Sequence, residues 1–148
     1  MINPQNTPPL ATQSAPSAHN YLSNVFIHKK YKDVIVWKHL PNPTKDQIHE
    51  MTQKLFSLIE TIAGSFYYIV DLTESKKRAD SDTRKVYADN FKKQIKLGLQ
   101  HACIVSNSWI YRLSAKFVLR NNSYYSICDG YDKAVEVINM VRQQQNSL

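Results

Sequence analysis

The last third of the chain, from His101 to Val141, alternates short apolar runs with helical patterns at close spacing. His101–Ser106 is a brief strand-like run, and a helix is predicted from about Trp109 to Leu119. A second strand follows at Tyr124–Cys128. Ala134, Val135, Ile138 and Val141 then recur at helical spacing within a segment from about Tyr131 to Gln144. Two strands connected through a helix run parallel, because a tight hairpin reverses the chain and a crossover does not. The alternation therefore predicts an α/β fold.

Earlier segments extend the pattern. Tyr21–Lys29 and Val34–Leu40 read as two strands, with the polar stretch from Lys30 to Asp33 turning the chain into an antiparallel hairpin. Pro41 and Pro43 stop the second strand. Thr44 and Gln47 have the spacing of a capping box, so a helix is expected next. It carries Ile48, Met51, Leu55, Leu58, Ile59 and Ile62 on one face and closes at Gly64. Phe66–Leu72 is rich in aromatic and β-branched residues and reads as a buried strand. After a polar loop, Ser81 or Asp82 is expected to cap a second helix that runs to about Leu97, with Gly98 at its end. Tyr87, Ala88, Phe91, Ile95 and Leu99 cluster on one side of that pattern, and Lys85, Lys92, Lys93 and Lys96 fall on the adjoining side. The element order is ββαβαβαβα: a mixed sheet of about five strands, an N-terminal hairpin followed by a parallel βαβαβα run, with four helices.

Composition limits what such a domain can do. The first 27 residues contain no Lys, Arg, Asp or Glu, and residues 1–20 hold four of the six prolines. A segment without a periodic apolar face does not offset its own ordering entropy, so 1–20 reads as a disordered leader. Residues 21–144 form the expected domain, and 145–148 a frayed tail. About 125 residues suffice for one core. No apolar run approaches the ~20 residues that span a bilayer, and no signal-peptide pattern opens the chain, so a cytoplasmic location is expected. Cys103 and Cys128 lie in apolar contexts and read as reduced core thiols. His19, His28, His39, His49 and His101 show no metal-ligand spacing, so no metal or cofactor is expected. With only three glycines there is no phosphate-cradling loop, and no nucleophile motif is present. These features predict a domain without catalysis.

The net charge of +7 is unevenly placed. Lys76, Lys77, Arg78, Arg84, Lys85, Lys92, Lys93 and Lys96 face only Asp80, Asp82 and Asp89 in the same stretch. That excess favours an acidic protein partner. No aromatic platform interleaves with these lysines, so nucleic acid is not indicated. Asp71, Ser106, Asn107 and Asp129 are expected at the carboxyl ends of the parallel strands, where open α/β sheets hold ligands. The third helix carries more apolar residues (Trp109, Ile110, Tyr111, Leu113, Phe117, Val118, Leu119) than one sheet-facing stripe needs. The surplus suits a homodimer contact, a buried helix or the wall of an apolar ligand site.

Four stretches (YYIVDLTE from Tyr67, ADSDTRK from Ala79, HACIVSNSWIYRLSAKFVLR from His101 and YYSICDGYDKAVEVI from Tyr124) resemble the STAS-like superfamily, named for sulfate transporters and anti-sigma-factor antagonists. The similarity is to its divergent bacterial STAS/SEC14-like branch and extends from about Val25 to Val141. It implies a non-catalytic regulatory or signalling module that binds a protein through the second helix. In relatives of the antagonist type, phosphorylation at the start of that helix releases the partner; Ser81 or Thr83 holds that position here. Asp80 and Asp82 flank Ser81 and repel a phosphate, so the residues themselves read Ser81 as a plain cap. SEC14-like relatives bind lipids. The alternative expectation is accordingly a carrier of a small apolar molecule or lipid, using the third helix and the strand-end crevice.

Overall fold

The computed structural model of the protein describes residues 20–118 and 124–147. Residues 1–19 of the expected 1–20 leader, and the turn at Asn121 and Asn122, lie outside the described residues. So do Leu119, Arg120 and Leu148, and the side chains of Phe117 and Val118. Among the described residues, five strands form one sheet in the order of the chain: β1 (Val25–Ile27), β2 (Val34–Lys38), β3 (Phe66–Asp71), β4 (Leu99–Val105) and β5 (Tyr125–Cys128). β1 pairs antiparallel with β2, and β2 through β5 are all parallel. The expected mixed α/β sheet is present, with the second strand of the hairpin joining the parallel set.

Four helices connect and follow the strands: α1 (Lys45–Thr61), α2 (Ser81–Leu97), α3 (Trp109–Val118) and α4 (Tyr131–Asn146). Each of the three crossovers steps in the same direction across the sheet. A right-handed connection then places α1, α2 and α3 on one face and leaves the other face to α4. The two buried clusters follow that division. Ile35, Trp37, Phe66, Tyr68, Ala102 and Ile104 pack with Met51, Leu55, Ile59 and Phe91 beneath the first three helices. Val34, Val36, Tyr67, Ile69, Cys103, Val105 and Cys128 pack against Ala134 and Ile138 of α4. Alternate residues of each strand feed opposite faces, which is why the central strands are apolar throughout.

Local chemistry sets the boundaries. Thr44 caps α1 with the expected reciprocal box to Gln47. Asp80, not Ser81 or Asp82, caps α2: its carboxylate accepts the Thr83 N–H at 2.8 Å. The negative charge there also suits the positive end of the helix. Gly98 ends α2 at φ +117, and a Cβ built on it would lie 3.0 Å from the Gly64 carbonyl oxygen, so two turns meet where only glycine fits. Leu99 therefore opens β4 and does not continue the face of α2.

The first expected strand is the main departure. Asn20–Asn24 forms a 3-10 turn, and only Val25–Ile27 is extended. The Lys54 ammonium donates to the Leu22 carbonyl at 2.6 Å and the Asn24 amide to the Lys38 carbonyl at 3.1 Å, satisfying backbone groups that a longer strand would have paired. At the other end α4 runs past Gln144, because Gln145 is fixed between the Tyr67 hydroxyl at 2.6 Å and Gln100 at 3.0 Å.

Candidate functional site

An apolar cavity of about 140 Å³ lies between the sheet and α2. Trp37, Tyr68, Val70 and Ile104 form its floor, and Leu55 of α1 closes one side. Tyr87, Asn90, Phe91 and Gln94 of α2 face it, as do Tyr111 and Ala115 of α3. Its size matches an apolar cavity of ~150 Å³ that holds one benzene ring. A two-chain lipid is far too large for it. The loop after β3 supplies the mouth, where Lys77 and Arg78 are exposed and Arg84 donates from Nη1 to the Ala79 carbonyl at 2.5 Å. Among the described residues, every charged one that lines the cavity is basic.

The interior holds few polar groups. His39, just past the end of β2, is 7% exposed; its Nδ1 lies 2.9 Å from the Leu40 carbonyl oxygen and its Nε2 2.9 Å from the Tyr87 hydroxyl. Burial lowers the His39 pKa below the usual 6.5 and raises that of Tyr87, because the apolar surroundings disfavour either charge. Gln94 is 2% exposed, and its side-chain oxygen has no hydrogen-bond partner. An orphaned acceptor of this kind costs about 1–3 kcal/mol. Gln94 lies seven positions after Tyr87, about 10 Å along the axis of α2, and so well below the mouth.

The residues singled out from the sequence divide into separate groups. Lys85, Lys92, Lys93 and Lys96 are exposed along α2, and Lys76, Lys77 and Arg78 are exposed in the loop before it. Of these seven, Lys77 and Arg78 reach the cavity, while Lys93 places its ammonium 4.4 Å from the Phe56 ring centroid. Ser81 is exposed in the first turn of α2, and the Thr83 N–H is already engaged by Asp80, whose pKa that bond lowers. A phosphate on Ser81 would meet a resident carboxylate at the same helix end.

Asp71, Ser106, Asn107 and Asp129 stand at or just beyond the ends of β3, β4 and β5, but none lines the cavity. Asp71 accepts from the backbone and hydroxyl of Thr73 at 3.0 and 2.7 Å, and Ser106 accepts from the Ser108 N–H at 3.1 Å. Both serve their own turns. Because the strand order never reverses, the sheet has no switch point at which such ends open into a crevice.

Cys103 and Cys128 are free and buried. Burial pushes both thiols up, away from the thiolate that nucleophilic chemistry needs. Among the described residues no cluster of three or more His, Cys, Asp or Glu could hold a metal ion. Nor is any helix among them long and apolar enough to cross a membrane.

Periodicity placed Tyr87 and Phe91 on the inner face of α2 but passed over His39 and Gln94. Gln94 had a signal: it lies three residues after Phe91 and seven after Tyr87, a core position filled by an amide. His39 had none beyond its place after an apolar strand. No protein-family model matches the chain, and no curated protein matches it at a significant level.

Proposed function

We propose that this chain is a non-catalytic binding module whose cavity beneath α2 holds a small amphipathic molecule, with a ring-sized apolar body inside and an anionic end at the mouth. One observation carries the reading: a mainly apolar space, partly open to solvent, is lined by Lys77, Arg78 and Arg84 and, among the described residues, by no acidic one. Ligand sites have this character, with apolar walls and a few placed polar groups that fix orientation. The volume selects a single-ring acid over a membrane lipid, which narrows the carrier expected from the sequence.

A regulatory role of STAS-like type, in a bacterial cytoplasm, fits the same architecture. α2 turns its inner face to the ligand and its lysines outward, and the exposed lysine row is what favours an acidic protein partner as a second reading. Pairing of two copies through α3 draws on the exposure of Trp109 (73%), Leu113 (59%) and Ile110 (42%).

Isothermal titration of the full chain with phenylacetate tests the ligand reading. Saturable one-to-one binding is expected, weakened by salt because the mouth is solvated. Ala115→Phe fills the cavity and should weaken binding at least tenfold, and the pair Lys77→Glu and Arg78→Glu should do so from the surface without disturbing the core. No saturable heat, or full affinity in both variants, would remove the reading.

A further inference from the structure

The inner and outer sides of α3 differ in kind. At ~100° per residue Tyr111 and Ala115 fall together, and both line the cavity. Trp109 and Leu113 fall on the opposite side, about 40° apart, and are 73% and 59% exposed. Ile110 borders them on one flank, Arg112 and Lys116 on the other, and all three are exposed. α3 contains no acidic residue, and neither Arg112 nor Lys116 forms an ion pair with a described residue.

α2 extends the charge. It contacts α1 on one side and α3 on the other. Asn90 and Lys93 turn toward α1, where they meet Thr52 and the Phe56 ring. Lys85 and Lys92 stand about 80–100° round the helix from Lys93, away from α1, and both are exposed. An apolar stripe on α3 thus lies beside basic residues from two helices.

We propose that α3 docks this protein on an anionic lipid surface. Trp109, Ile110 and Leu113 enter the headgroup boundary, while Arg112, Lys116, Lys85 and Lys92 lie among the phosphates. The inference is independent of the ligand reading. A helix of this pattern binds a bilayer through buried apolar area plus attraction to anionic headgroups, and an indole is favoured at that depth. A second copy would cover the stripe but bring the same charges, with no carboxylate on α3 to answer them.

The test mixes the full chain with vesicles of phosphatidylcholine alone and of phosphatidylcholine with an equal share of phosphatidylglycerol. The chain has two tryptophans, and Trp37 is 3% exposed, so a blue shift in emission reports Trp109. Co-sedimentation with the anionic vesicles and a blue shift are expected, both reduced by salt. Leu113→Glu, and the pair Arg112→Glu and Lys116→Glu, should each weaken binding roughly tenfold or more. All three positions are exposed.

Equal binding to both vesicles, or to neither, would overturn the proposal. Anionic binding with unshifted emission that Leu113→Glu leaves intact would also overturn it, assigning the contact to the lysines of α2 alone. A dimer of the lipid-free chain that Leu113→Glu dissociates, with vesicles left unbound, would give the face to a second copy.

Discussion

At His39, a ring that the sequence offers only as an unpaired histidine becomes a buried link between a backbone carbonyl and Tyr87. Its pKa is lowered by burial, so the folded protein resists a proton that the unfolded chain accepts near pH 6.5. The stability that follows is complete above about pH 6.5 and falls as the pH drops below it, by up to ~1.4 kcal/mol per pH unit for one such group. His28 and His101 are shifted the same way and add to the trend. Urea midpoints measured from pH 7.5 to 5 should fall in the wild type and fall less steeply in His39→Gln; parallel profiles would show that His39 titrates normally. Neither His39 nor Gln94 was legible as a site residue, because burial is a property of what the rest of the chain brings over a position. Periodicity reports that a face is covered but not which polar member of it goes unpaired.

The elements were more legible than their edges. The capping box at Thr44 and the apolar spacing of α1 and α4 required nothing beyond the local sequence. Two ends were decided by tertiary partners. Tyr21 and Leu22 pack against the core from a 3-10 turn, and Asp80 outcompetes Ser81 for the cap of α2 because its carboxylate meets the helix dipole. The lysines of α2 were correctly assigned to an exposed face, since charged side chains cannot follow Phe91 inward. Replacing Lys85, Lys92, Lys93 and Lys96 with glutamate should abolish salt-sensitive retention on immobilised polyglutamate and leave phenylacetate binding intact. Lys93 alone should register in stability, by about 0.5–1 kcal/mol, through its contact with Phe56. Unchanged retention would place any acidic contact elsewhere.

For the whole molecule, the sequential strand order places three helices over one face of the sheet, and the cavity lies among them. Parallel pairing could be read from the strand–helix alternation, and the one-sided layering follows from the handedness of the crossovers. The cavity could not be read, because an unfilled volume depends on how α2 and α3 settle over Tyr68 and Ile104. The same sequential order gives the sheet no switch point near Asp71 and Asp129, the usual place for a strand-end crevice. The central claim is therefore a position in space: a ring-sized anion enters between the loop after β3 and the inner face of α2. A map of amide and indole shifts in the ¹⁵N-labelled full chain during a phenylacetate titration tests it most directly. Movement of the Trp37 indole, the Gln94 side-chain amide and the backbone from Tyr87 to Phe91 is predicted, with Val36 and Ile138 on the opposite face unmoved. Shifts confined to the exposed lysine face of α2, or none at saturating ligand, would contradict it.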